Sequence, residues 1–182
     1  MTDITLERHG HAAHLVLNRP EKRNALNEAM WRAIPSLLAE AEADNAVRLL
    51  VVRGAGGAFA AGADISEFEE VYATPERAAD YSRAIAAALD GLAAFPKPTL
   101  AMIEGACVGG GCGIALACDV RFAAERSRFG ITPELLASRE AMMRYLGDSK
   151  ATFEEFWRDD ERFHRAVAVA HGEIVGDRDR LV

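Results

Sequence analysis

No stretch of the 182 residues is apolar over the roughly 20 positions that a membrane-spanning helix needs. Lysine and arginine do not cluster, and 21 basic side chains against 28 acids leave a net charge of −7. Neither nucleic acid nor an anionic membrane is therefore the expected partner. Met1 leads directly into polar residues, so no signal peptide is expected and the expected location is cytoplasmic. Cysteine is scarce: Cys107, Cys112 and Cys118 are odd in number and close together, which fits reduced thiols. No histidine stands at ligand spacing beside them, which argues against a metal site, and none is placed to activate Cys112 as a nucleophile. A thiol in that setting reads as a small buried hydrophobe. His9, His11 and His14 are explained by strand alternation around a turn rather than by metal binding.

What the chain does hold is ordinary globular composition, 50% hydrophobic and 27% charged, and two glycine-dense loops. The first central stretch is residues 98–130, PTLAMIEGACVGGGCGIALACDVRFAAERSRFG. Residues 99–104 are a compact apolar run suited to a buried strand. Gly105, Gly109, Gly110, Gly111 and Gly113 follow, and residues 114–118 supply small helix-compatible side chains. Such a turn delivers a helix N-terminus whose first N–H groups lack internal partners. The loop has no lysine after its glycines, which excludes a P-loop, and Ile114 stands where a dinucleotide fingerprint needs its third glycine. Two readings stay open. One is an oxyanion hole, in which backbone N–H groups stabilise charge forming on a carbonyl oxygen. The other is a turn whose glycines allow close packing.

An oxyanion hole takes two donors, and a second loop of the same kind exists. Residues 46–53, AVRLLVVR, are an apolar strand followed by GAGGAFAAGADISEF. Two strand-to-glycine-loop units in one small domain place free N–H groups at strand carboxyl ends, where open α/β sheets bind ligands.

Around these units the pattern alternates strand and helix. Residues 4–18 read as a hairpin turning at His9-Gly10-His11. Asn27 caps a helix with Met30, Ile34, Leu37, Leu38 and Ala41 on its buried stripe, and Pro35 is expected to kink it or delay its start. Thr74-Pro75-Glu76 opens a second helix with Tyr81, Ile85, Leu89 and Leu92 inward. The order predicts an α/β fold of ββα-type layering with a mostly parallel sheet.

Three motifs in order, LNRPEKRNAL, FAAGADI and PTLAMIEGACVGGGCGIALACD, resemble the enoyl-CoA hydratase/isomerase (crotonase) family over residues 4–136. The resemblance implies a crotonase-like superhelix with C-terminal helices, an acyl-CoA or enoyl-CoA thioester substrate and an enolate-type intermediate. Coenzyme A enters as part of the substrate, and no separate cofactor is implied. By motif position the two donors are the N–H groups of Ala63 and Gly110. Ala61, Ala63, Asp64, Ile65 and Ser66 line the CoA side. The loop with Lys22 and Arg23 approaches the CoA nucleotide, where a cation suits a phosphate; the same two residues also fit a solvated loop.

The resemblance also marks departures. The family's hydratases carry one glutamate after GGGC and a second in an FGxPE-type segment. Here those positions hold Gly113 and Pro133, with Glu134 one residue late. Glu134 is the best base candidate, and Thr132-Pro133 also makes it a plausible first-turn acid of a helix. Asp64, Glu67, Glu104 and Asp119 are further acids near the glycine loops. The paired carboxylates that hydration uses are thus not in their usual places. That leaves one alternative open, a non-catalytic acyl-CoA-binding or interaction subunit.

The expected division is a core over residues 1–136 and a helical arm over 137–182. Phe153, Phe156, Trp157, Phe163 and Val167 line one face of that arm. An uncovered aromatic face predicts a homo-oligomer, a trimer or hexamer by the resemblance. Against the family's usual length the chain is expected to be C-terminally shortened or to lack an internal segment.

Overall fold

A computed structural model describes residues 2–130 of the chain. The chain divides into two compact units, Met1–Phe129 and Gly130–Val182, and the first carries the architecture below. Glu134 and the expected arm over 137–182 lie outside the described residues.

The hairpin forms as expected: β1 (Ile4–His9) and β2 (Ala12–Leu17) pair antiparallel, and Gly10 supplies the positive φ of the turn, 62°. β3 (Leu49–Gly54), β4 (Thr99–Ile103) and β6 (Val120–Ala123) then add in parallel, giving a five-stranded sheet in the order β1-β2-β3-β4-β6. A second, two-stranded sheet pairs β5 (Ala106–Val108) with β7 (Arg128–Gly130).

Two long helices, α1 (Glu28–Ala43) and α3 (Pro75–Ala93), cover the main sheet; the one-turn α2 (Phe68–Val71) lies between them in sequence. The core forms because the buried strand positions alternate, Ala13, Leu15 and Leu17, Leu50 and Val52, Ala101 and Ile103, and meet the helical stripes. Those stripes are Met30, Trp31, Ile34, Leu38 and Ala41 on α1, with Tyr81, Ala84, Ala88 and Leu92 on α3. Leu37, Ile85 and Leu89 are only partly buried at the margins of the same core. Each fully buried leucine contributes roughly 1.5–3 kcal/mol.

Caps fix where the helices begin. The Asn27 side chain accepts from Met30 N at 2.9 Å, and Thr74 Oγ1 accepts from Arg77 N at 3.2 Å. α1 starts directly after Asn27 and runs through Pro35, so the proline does not delay it. The last helix among the described residues, α4 (Gly110–Ala117), starts at Gly110 rather than at residue 114 as the sequence suggested. The glycines belong to its first turn, because that turn is pressed against other chain segments.

The parallel order of β2, β3 and β4 has one consequence for function. The segments that follow them, residues 18–27, 55–67 and 104–109, all leave from the carboxyl end of the sheet. The two glycine loops and the Lys22/Arg23 loop therefore share one edge. At the far side, β6 is exposed along its length, and Leu116, Val120 and Phe122 are large exposed apolar side chains.

Candidate functional site

The loop after β2 is held by two residues that the sequence reading passed over. Asn24 is fully buried with a left-handed backbone, φ 56°. Its Oδ1 accepts from Arg19 N at 2.8 Å, and its Nδ2 donates to Ala55 O at 2.8 Å and Ala58 O at 2.7 Å. This one amide side chain ties the loop after β2 to the loop after β3. Arg19 is also buried and donates to Ala25 O at 2.7 Å and to Asp64 Oδ2 at 2.8 Å. An asparagine in a motif of polar letters gives no sign of its partners. The signal that was available was its tolerance of a left-handed backbone beside a proline turn.

The loop after β3 is in turn zipped onto β5. Phe59 N and Ala60 N donate to Ala106 O at 3.0 and 2.9 Å, and Val108 N donates to Ala60 O at 2.9 Å. Ala60 and Cys107 form a parallel bridge. Beyond the bridge the two segments stay in contact at Gly62, Val108 and Gly109, the first and last of which directly precede Ala63 and Gly110. A methyl placed on Gly109 would stand 3.6 Å from Gly62 Cα. The loops that carry the two residues singled out as donors are thus in contact next to those residues.

Their amides are also available. Leu26 forms a parallel bridge with Ala63, donating to Gly62 O at 2.7 Å and accepting from Asp64 N at 2.9 Å. In a parallel bridge those bonds involve the peptide groups on either side of Ala63, so its own N–H points away from Leu26. Gly62, at φ 98°, permits the local reversal that this requires. Gly110 opens α4, so its N–H has no partner within the helix. Among the described residues neither Ala63 N nor Gly110 N donates a hydrogen bond, and both residues are partly exposed.

The glycines do packing work as well. A methyl on Gly110 would stand 2.8 Å from Trp31 Cζ2, and one on Gly111 would stand 2.8 Å from Ala60 Cβ. The two readings left open by the sequence are therefore compatible: close packing seats the helix, and seating the helix presents the amide.

Asp64 is buried between Arg19 and Lys22, whose nitrogens lie 2.8 and 2.9 Å from its Oδ2. Burial works to raise its pKa, but hydrogen bonds from Ser66, Lys22 and Arg19 hold the carboxyl well below the usual carboxylate range. It caps the 3-10 turn at Ile65–Glu67 through Ser66 N, and Ser66 Oγ donates to it at 2.6 Å. Ala61 is partly buried, with its N–H spent on Arg23 O, and Ile65 is 77% exposed at the rim. Lys22 is committed to Asp64, while Arg23 is exposed and forms no side-chain hydrogen bond or ion pair among the described residues. Ile65, Phe68 and Tyr72 are exposed apolar side chains in the segment that follows Ala63.

The acids near the loops are mostly occupied. Glu67 Oε2 accepts from Glu28 N at 2.7 Å, and Asp119 Oδ2 accepts from Thr99 N and Oγ1, each at 2.8 Å. Glu104 is exposed and carries no hydrogen bond among the described residues. The thiols are buried: Cys112 Sγ donates to Cys107 O at 3.0 Å and lies 4.0 Å from Cys107 Sγ. The neighbouring Cys112 and burial push the Cys107 thiol far up, and burial pushes Cys118 up to about 11. Thiols so held are protonated and poor nucleophiles.

With this geometry in view, comparison with known proteins places the chain. The sequence profile described as Enoyl-CoA hydratase/isomerase matches residues 7–152. A hydroxycinnamoyl-CoA hydratase-lyase of Pseudomonas fluorescens is 41% identical over 123 residues, 66% of this chain and 45% of that protein. The mitochondrial Delta(3,5)-Delta(2,4)-dienoyl-CoA isomerase of Mus musculus is 35% identical over 130 residues, 66% of this chain and 40% of that protein. A crystal structure of a protein assigned to the enoyl-CoA hydratase/isomerase family from Hyphomonas neptunium superposes with a TM-score of 0.73 at 48% identity. It covers 79% of this chain and 56% of that one. The chain spans about half the length of the curated relatives it matches.

Proposed function

The chain belongs to the enoyl-CoA hydratase/isomerase family and has its crotonase-like α/β fold, and from that premise we propose that it binds an acyl-CoA or enoyl-CoA thioester and stabilises the thioester enolate. The carbonyl oxygen sits between the N–H groups of Ala63 and Gly110. A base takes the α-proton, the C–H electron pair becomes the enolate C=C bond, and the carbonyl π electrons move onto the oxygen facing the two amides. Return of the proton at the γ-carbon of a suitable enoyl chain gives an isomer. Fixed donors of this kind need no reorganisation as the charge forms, and losing one costs about 10²–10³ in rate.

The observation that supports this reading is the contact of the two loops beyond the Ala60–Cys107 bridge, at Gly62 and Gly109, with neither Ala63 N nor Gly110 N donating a hydrogen bond among the described residues. On this reading Ala61, Asp64, Ile65 and Ser66 flank the CoA, and Asp64 acts there by rigidifying the turn. Arg23 is better suited to a CoA phosphate than Lys22, whose charge is spent on Asp64. Glu134 is the proposed base. No helix among the described residues is long and apolar enough to cross a membrane.

A second reading has its own support. Gly113 and Pro133 replace the usual glutamates, and Asp64, Glu67 and Asp119 are all tied into hydrogen bonds. A chain that retained only the cradle would bind thioesters without turning them over. Calorimetry with crotonyl-CoA, followed by hydration and double-bond isomerisation assays, separates the two. Binding with turnover supports the enzyme, binding without turnover selects the binding subunit, and no binding overturns both.

A further inference from the structure

Two core residues touch the proposed amide pair: Leu26 meets both halves and Trp31 meets Gly110. Leu26 bonds through its own N–H and C=O to the peptide groups on either side of Ala63. Its side chain runs to the other half: a methyl placed on Gly110 would stand 3.1 Å from Leu26 Cδ1. The same methyl would stand 2.8 Å from Trp31 Cζ2 and 3.3 Å from Trp31 Cη2. Leu26 is fully buried and Trp31 is 1% exposed, so neither side chain has room to move aside.

Trp31 keeps a feature that packing alone does not favour. Its Nε1–H is buried, with the Tyr81 hydroxyl as a neighbour outside strict hydrogen-bond geometry. A phenylalanine would fill most of the volume without stranding a donor. It would, however, lack Cζ2 and Cη2, the indole atoms that reach Gly110.

We infer that Leu26 and Trp31 are positioning residues that set the spacing and direction of the two amides. Leu26 fixes Ala63 through its backbone and Gly110 through its side chain, and Trp31 fixes the first turn of α4. The inference rests on the thioester reading above. Neither residue touches the reacting atoms. They act on catalysis because misplacing a catalytic group by about 1 Å can cost about 10²-fold in rate.

The test uses the full chain and a 2,4-dienoyl-CoA, whose conjugated carbonyl absorbs in the near ultraviolet. A carbonyl polarised by two amides shifts that band to longer wavelength. The expected result is a red shift on the wild-type protein. Leu26→Ala and Trp31→Phe should then lose roughly half or more of it, as expected when one donor leaves its line. Their Kd, set by contacts with CoA, should stay within about threefold, and for any substrate turned over kcat should fall with KM little changed. Leu26→Met, which restores the volume, should recover most of the shift. Leu38→Ala, a truncation at another buried α1 position, should lower stability and leave the shift intact. If Leu26→Ala fails to fold, Trp31→Phe and Leu26→Met still decide the matter. Retention of the full shift in Trp31→Phe and Leu26→Ala overturns the inference and leaves the amide pair standing. A wild-type complex with no shift, or no binding at all, removes the amide pair itself and the inference with it.

Discussion

Gly110 has no room for a side chain, and this makes it the most informative single position. In Gly110→Ala the new methyl meets Trp31 and Leu26, so the first turn of α4 must shift. We expect a stability loss of about 1–3 kcal/mol from overpacking and a fall in turnover of roughly 10²-fold or more. Denaturant midpoints and steady-state kinetics on the same sample would show it. Unchanged turnover would remove Gly110 from the site. Gly62 differs in kind, because a methyl there meets nothing nearer than Val108 O at 3.5 Å. Its cost in Gly62→Ala is conformational, about 1–2 kcal/mol for holding alanine at positive φ.

Asp64 shows what the site's charge does. Its pKa is depressed in the folded state, so its contribution to stability is complete above the unfolded value of about 3.9. That contribution is lost as pH falls through the lower folded value. Asp64→Asn should cost about 1–3 kcal/mol, since it removes the buried one of Arg19's two counter-charges and leaves only the half-exposed Asp3. It should also flatten the acid limb of the stability curve. An unaltered acid limb in urea titrations would contradict this.

At the scale of elements, α1 and α3 are joined by an ion-pair cluster. Glu28 receives Arg77 at 2.9 Å and Arg32 at 2.7 Å, and Arg32 also pairs with Asp80. Hydrogen bonds from Arg77 and then Arg32 lower Glu28 to about 2. The sign is the same as for Asp64: the cluster stabilises at neutral pH and weakens as pH falls from about 4.5 towards 2. The arginines are solvent-facing, so added salt should weaken it too. Glu28→Gln should lower the melting temperature at pH 7 and reduce its dependence on salt. A salt dependence equal to the wild type's would show that the cluster contributes nothing measurable.

The elements also show where sequence reading succeeds. The hairpin, the Asn27 and Thr74 caps and the parallel order were all legible, because each depends on local pattern. The start of α4 was not. Three successive glycines read as a turn by propensity, and they became helix because Gly110 and Gly111 seat against Trp31, Leu26 and Ala60. β5 was missed for the same reason. Its three residues pair with the loop after β3 and with β7, and no local pattern announces that.

For the whole molecule, the proposed ligand should act as a stabiliser. A thioester present at 100 times its Kd should add about 2.7 kcal/mol, read as a rise in melting temperature. Free CoA should give a smaller rise, since it lacks the carbonyl that the amides engage. We also propose a homo-oligomer, from the exposed Leu116, Val120 and Phe122 and from the apolar spacing of the letters over 153–167, which lie outside the described residues. Light scattering should give a multiple of 19.7 kDa, and a clean monomer at micromolar concentration would remove that proposal.

The letters alone pointed to the family and to Ala63 and Gly110 as the donors to test, because glycine spacing and motif order are properties of the string. They also put Gly113 and Pro133 where the resemblance leads one to expect glutamates. Only the tertiary structure decided that the loops bearing Ala63 and Gly110 meet at Gly62 and Gly109, that Lys22 is spent on Asp64, and that Asn24 and Arg19 hold the loops. The reason is physical: direction and spacing of a backbone amide depend on what presses on it, and here that pressure comes from residues distant in sequence.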